Sequence, residues 1–259
     1  MKKTLKLLSY TLFIVFIFLI GNALFLFLFG TVPMILGYSP SPFYLLILDG
    51  LSFIALMPIV FFFKKRHNIS FEFRFSFKQI IIMFILGSLL FVVVNPFLKP
   101  IDFINSLTDE LIRIETPLSK SFELNTFLSG INMIIIAPII EEFVYRGIIF
   151  NYCRKKTSLH WAVLISASLF SIVHFNPEGI IFHLIYGVMF AIVYYKTNNL
   201  LIPILLHSSI NAIAFFSEPS TIGLSTESLL IYLAIYLGAL AGAIFITVKL
   251  KIPKTTSIN

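Results

Sequence analysis

The apolar runs in this sequence are too long, and too free of charge, for a water-soluble fold. A helix crossing the hydrocarbon of a bilayer needs about 20 mostly apolar residues. Eight stretches approach or exceed that length: roughly 8–30, 43–63, 78–98, 127–152, 159–175, 180–195, 200–216 and 229–250. The runs are continuous rather than alternating, which favours spanning helices over barrel strands. Composition closes the alternatives. Charged residues are 12% of the chain, against about 25% in ordinary globular domains. Nineteen basic and 12 acidic side chains could not cover the surface of a soluble protein of 259 residues. Disorder is excluded as well, because disordered chains lack the apolar content that 30 Phe residues bring here. The sequence predicts an all-α, polytopic membrane helix bundle of about eight transmembrane helices.

The basic residues suggest an orientation. If the N-terminus is cytoplasmic, Lys2, Lys3, Lys6, Lys64, Lys65, Arg66, Arg74, Lys78, Arg154, Lys155, Lys156, Lys196, Lys249, Lys251 and Lys254 all lie on that side. The external connections then hold Lys99, Arg113 and Lys120. This asymmetry follows the positive-inside rule and puts both termini in the cytoplasm. The first run exceeds 20 residues and has no small-residue cleavage pattern, so it reads as a retained helix, not a signal peptide. The net charge of +7 belongs to these loops. No basic array is interleaved with aromatics, and no nucleic-acid partner is expected. A single cysteine, Cys153, excludes an internal disulfide framework and a multi-cysteine metal site. The stretch 71–77, FEFRFSF, resembles an interfacial segment. The polar stretch 99–125 reads equally as a surface helix or lid and as a plain solvated loop.

Charges inside the spans are costly and mark candidate functional positions. Asp49 is one, with Gly50 and Ser52 beside it to satisfy it locally. The fourth span reads IIIAPIIEEFVYRGIIF and carries Glu141, Glu142 and Arg146. Residues four apart on a helix share a face, so Glu142 and Arg146 can neutralise each other. Glu141 points about 100° away and lacks that partner. Pro138 has no N–H and frees a carbonyl one turn back, at Ile134, so a kink is expected there. A structural ion cluster accounts for Glu142 and Arg146. It leaves Glu141 as a carboxylate suited to acid–base chemistry.

Three histidines lie within apolar runs. His174 ends the fifth, and His207 lies in the seventh, with Asn211 one turn further on the same face. His183, in the sixth, reads as a satisfied core residue. His67 and His160 read as solvated or headgroup-facing. At 1.5 Å per residue, Glu141 and His174 are each roughly 22–27 Å from the turn joining their spans. Asn211 is roughly 20 Å from the turn preceding its own span, and His207 somewhat less. Three helices thus bring a carboxylate, two imidazoles and an amide to about one layer. Spacing alone fits a hydrolytic site and a buried polar network equally well.

The motifs Glu141-Glu142-x-x-x-Arg146, Phe170-x-x-x-His174 and His207-x-x-x-Asn211 resemble those of the CPBP family. These are the CAAX-processing and bacteriocin-processing intramembrane proteases, also called the Abi or type II CAAX protease family. Each motif alone is weak; three in order, each on a separate apolar run, are specific. The resemblance covers roughly residues 125–216. It implies that Glu141 and His174 activate water, that His207 and Asn211 stabilise the oxyanion, and that Glu142 and Arg146 support the site. It favours a metal-free glutamate mechanism. If zinc were used, Glu141, His174 and His207 would be its ligands, although H-E-x-x-H is absent.

The expected organisation is therefore N-terminal helices and an external loop over 1–125, a catalytic core over 126–217, and a last helix with a basic tail over 218–259. The expected activity is hydrolysis of a peptide bond in a membrane-associated peptide or protein within the lipid bilayer, and the expected location is a bacterial plasma membrane. A non-catalytic bacteriocin-immunity or peptide-binding protein is the first alternative. A proton-coupled transporter is the second, disfavoured because repeated halves are not visible.

Overall fold

A computed structural model describes residues 72–74, 76–94, 127–128, 130–174, 179–216 and 226–250, with isolated positions between Ser9 and Lys65. Among these, regular structure is helical apart from one isolated bridge. The expected runs 8–30 and 43–63, Asp49 and the 99–125 stretch lie largely or wholly outside the described residues, as does the placement of the termini.

The helices are α1 (Phe77–Val94), α2 (Ala137–Glu142), α3 (Asn151–Arg154), α4 (Leu159–Ile172), α5 (Ile180–Thr197), α6 (Leu201–Phe216) and α7 (Thr226–Lys249). α2 and α3 are parts of one continuous helix. Wider, i→i+5 bonded π-helical stretches flank α2, at Asn132–Ile136 and Phe143–Phe150. This central helix packs against α4, α5 and α6, and α1 packs against α6 and α7.

α1 and α5 are both long and apolar enough to cross a bilayer, with mean hydropathy 2.4 and 1.5. Their apolar residues do not all turn inward. On α1, Met83, Leu86, Leu90 and Val94 are buried, while Phe77, Ile81, Phe84 and Ile85 face out. Trp161, Ile181, Phe245 and Val248 are also exposed. Water would penalise such a surface, whereas lipid tails accept it.

Helices in lipid gain little from hiding apolar surface, so close packing of small residues carries their association. Two glycines show it. A Cβ on Gly187 of α5 would lie 3.1 Å from the Cα of Ala167 on α4. A Cβ on Gly87 of α1 would fall 1.9 Å from Ser209 Oγ on α6. That hydroxyl donates to Met83 O of α1 at 3.1 Å and is within 2.7 Å of Leu206 O. α1 thus braces the helix that carries His207 and Asn211.

The turn after α5 is anchored in a way the FEFRFSF pattern did not reveal. Asn198 ends α5 in the left-handed region, with φ 46°, and its N–H bonds Tyr194 O at 2.8 Å. The extended residues Glu72–Arg74 then dock on that turn. Leu200 N–H donates to Glu72 O at 2.8 Å, Asn199 Nδ2 to Arg74 O at 2.7 Å, and Arg74 N–H to Asn199 Oδ1 at 2.9 Å.

Gly87→Ala should strain the α1–α6 contact and cost about 1–3 kcal/mol, as overpacking does. Thermal unfolding in detergent measures it, and Gly87→Ala combined with Ser209→Ala should recover part of the loss. An unchanged melting curve for Gly87→Ala would contradict the close approach.

Candidate active site

Pro138 decides which carbonyl the irregular bonding of the central helix leaves free. In an α-helix, Ala137 N–H would bond Met133 O. Here it bonds Asn132 O, five residues back. The next donor in that wider register would be residue 138, and proline has none. Met133 O is therefore left for an outside donor, and Asn211 Nδ2 of α6 reaches it at 2.8 Å. The carbonyl taken up by Asn211 is thus Met133's, one residue before the Ile134 carbonyl that α-helical spacing singles out. Single turns of π-helix recur at functional sites. This one ties the Glu141 helix to the Asn211 helix. Further along, Ser166 Oγ of α4 donates to Tyr145 O at 2.9 Å, within the second π-helical stretch.

Glu142 and Arg146 are completely buried, and Arg146 Nη1 donates to Glu142 Oε1 at 2.8 Å. Arg146 Nη2 donates to Gly187 O of α5 at 2.9 Å. The guanidinium also lies 4.7 Å from the Phe170 ring and 5.2 Å from the Phe190 ring, a cation–π enclosure that offsets lost hydration. The same carboxylate oxygen has a second partner: His207 Nδ1 lies 3.0 Å from Glu142 Oε1. A carboxylate paired with arginine can only accept, so His207 Nδ1 carries the hydrogen and its Nε2 faces the other way. The His207 ring is stacked on Phe190, with centroids 4.6 Å apart.

Glu141 stands apart from this cluster. Its Oε2 is buried and has no hydrogen-bond partner among the described residues. It lies 3.8 Å from His207 Nε2 and 4.0 Å from His174 Nε2. His174 lies two residues past the end of α4, and its Nδ1 is 2.7 Å from Phe170 O. A carbonyl oxygen accepts, so His174 Nδ1 carries the hydrogen and Nε2 presents a lone pair towards Glu141. Two acceptors at such a separation are spaced for a water that donates to both.

Glu141, His174, His207 and Asn211 line one cavity of about 390 Å³ with His183. Its remaining wall is mostly apolar or aromatic, with Phe91, Phe182, Tyr186, Phe190 and Ile210 among the residues. A few convergent polar groups in an apolar chamber are the usual composition of a small-molecule or peptide site. His183, which the sequence suggests is a core residue, is half-buried, lines this chamber and stacks on His174 with centroids 4.0 Å apart. The signal for it was available: His174 closes one helix, and His183 lies in the first turn of the next. Phe170, a motif residue to which the sequence gives no role, touches the Arg146, His174 and His207 groups with one ring.

The donor types at Glu141, His174 and His207 suit zinc, but their spacing is wide for it. Ligand atoms about 2.0–2.2 Å from one tetrahedral ion lie about 3.4 Å apart, less than the 3.8 and 4.0 Å separations seen here. Among the described residues, no group of three or more His, Cys, Asp or Glu side chains is disposed to hold a metal ion.

These features define a helix bundle whose polar centre is a carboxylate–imidazole cluster at the wall of an apolar chamber. Residues 123–213 match the family described as type II CAAX prenyl endopeptidase Rce1-like. This segment holds all seven motif residues and is similar to the CAAX-processing proteases. A Bacillus subtilis (strain 168) protein named "Putative membrane peptidase YdiL" is 36% identical over 77 residues, which make up 30% of this chain and 32% of that protein. The aligned part thus spans about a third of that curated relative's length. No solved structure matches the chain significantly.

Removing either partner of the buried pair leaves the other charge exposed to an apolar interior, at a cost of about 3–5 kcal/mol. Glu142→Ala and Arg146→Ala should each sharply reduce the amount of folded protein recovered from membranes, read by immunoblot and size-exclusion chromatography. Normal recovery of both variants would contradict the structural role of the pair.

Proposed function

We propose that this protein is an integral-membrane endopeptidase that hydrolyses a peptide bond of a membrane-associated peptide or protein. The observation that carries the reading is the position of Glu141 Oε2, without a hydrogen-bond partner among the described residues and within 4.0 Å of both His174 Nε2 and His207 Nε2. The family of residues 123–213 and the name of the B. subtilis relative support the same class.

The proposed chemistry needs a base for water, donors for the tetrahedral oxyanion and a proton for the leaving amine. A water between Glu141 and His174 donates one hydrogen to Oε2 and the other to Nε2. Its lone pairs then point at the substrate carbonyl. On attack, the new C–O bond forms, a water proton passes to Glu141, and the carbonyl oxygen becomes the oxyanion. The second hydrogen on Asn211 Nδ2, beyond the one given to Met133 O, is available to that oxyanion. His207 can donate from Nε2 only as an imidazolium, because its Nδ1–H is already given to Glu142. Glu142 Oε1, 3.0 Å from Nδ1, accepts from the ring in either form. Glu141 then returns its proton to the amine as the C–N bond breaks. Peptide and water become acid and amine, and every group regains its starting proton.

This reading is metal-free, supported by the wide donor spacing and by the resemblance noted in the sequence. Both termini are assigned to the cytoplasm on the distribution of Lys and Arg. The substrate is assigned by the apolar lining of the chamber to a peptide with apolar residues near the scissile bond.

Purified protein in detergent should cleave members of an internally quenched library of apolar peptides. Glu141→Gln and His174→Ala should each lower the rate by at least about 100-fold, as loss of acid–base groups does, while the variants elute as folded protein. Full activity in either variant would contradict the assignment. Separately, exhaustive chelation should leave the rate unchanged. Complete loss with chelator, restored by added zinc, would overturn the metal-free reading.

A further inference from the structure

We infer that His183 is a positioning residue that holds the His174 ring in register with Glu141. The inference rests on the proposed hydrolytic reading and adds a residue that its three motifs do not contain.

The two imidazoles facing Glu141 are held by parallel devices. His207 has an anchor at Nδ1, the Glu142 carboxylate at 3.0 Å, and a flat ring against its face, Phe190 at 4.6 Å and 21°. His174 has an anchor at Nδ1, the Phe170 carbonyl at 2.7 Å, and a flat ring against its face, His183 at 4.0 Å and 23°. His183 thus does for His174 what Phe190 does for His207.

His174 has greater need of such a support. His207 sits in the body of α6, with helix on both sides. His174 comes after α4 has ended at Ile172, in the turn leading to α5. One hydrogen bond at Nδ1 fixes a point on the ring but leaves rotation about that point. Phe170 meets the His174 ring edge-on, at 62°. A second ring lying flat against the imidazole removes the rotation.

The supporting ring is itself fixed. His183 Nδ1 lies 2.8 Å from Gly179 O, the carbonyl four residues back at the start of α5. A carbonyl accepts, so this nitrogen carries the hydrogen. The brace is therefore tied to α5, whose Gly187 O holds Arg146. The turn between α4 and α5 is also closed by Ser171 Oγ, which donates to Ile180 O. Histidine suits the post because it offers both a flat face and an edge donor; phenylalanine would supply the face alone.

The test compares His183→Ala with His183→Phe in purified protein, beside wild type and Glu141→Gln. His183→Ala should lower kcat by about 10–100-fold, the scale of a misplaced reacting group, with KM within about two-fold and unchanged thermal stability. His183→Phe should recover most of that loss. Unchanged kcat in His183→Ala, or a His183→Phe variant as slow as His183→Ala, would overturn the inference. Nitrogen-15 imidazole spectra give a readout that needs no cleavage. Relaxation of the His174 ring signals should report one rigid ring in wild type and His183→Phe, and added ring motion in His183→Ala. An equally rigid ring in all three would also overturn it. Should wild type fail to cleave any peptide, the proposed function falls, and the spectra still decide whether His183 holds His174.

Discussion

One carboxylate oxygen organises the polar interior. Glu142 Oε1 accepts from Arg146 at 2.8 Å and lies 3.0 Å from His207 Nδ1, linking the central helix to α6 through a fully buried charge. An ionised carboxylate is tolerable there only because the arginine neutralises it and is itself held by Gly187 O and two aromatic rings. The arrangement spends Glu142 and Arg146 on each other and on His207. It leaves the adjacent Glu141 in the chamber with no partner of that kind. Two consecutive glutamates thereby take on different chemistry through the helix faces they occupy.

Backbone irregularity supplies the rest of the geometry. The slip to i→i+5 bonding before Pro138 exposes Met133 O, and Asn211 takes it. The wider stretch after Glu142 runs through Arg146 to Phe150, where all eight residues are buried. Side-chain donors from α4 and α6 thus bond backbone carbonyls of the central helix, in a medium that offers no water to do so. Gly87 and Gly187 in turn let α1 lie close against α6 and α5 close against α4.

Much of this was legible in the sequence, for identifiable reasons. Hydropathy marks the helices because lipid imposes length and polarity on each one. The Glu142–Arg146 pair follows from four-residue spacing. The common level of Glu141, His174, His207 and Asn211 follows from a constant rise per residue counted from the turns. Other features depend on which faces meet, and a one-dimensional pattern does not carry that. The sharing of Glu142 by His207 needs the rotation of α6. The Asn211–Met133 bond needs the π-helical slip, which proline permits but does not dictate. The stack of His183 on His174 needs the end of α4 to lie against the first turn of α5, and the docking of Glu72–Arg74 on Asn199 joins segments 125 residues apart.

The account stands on Glu141 being the group that delivers water to a peptide bond. The most direct measurement is a comparison of the membrane-associated peptides of cells expressing the wild-type chain and Glu141→Gln at equal abundance. The substitution keeps the side chain's size and removes its basicity. The account predicts a set of cleavage products present with wild type and missing with Glu141→Gln, with their uncut precursors accumulating instead. Identical peptide inventories in the two strains would contradict it.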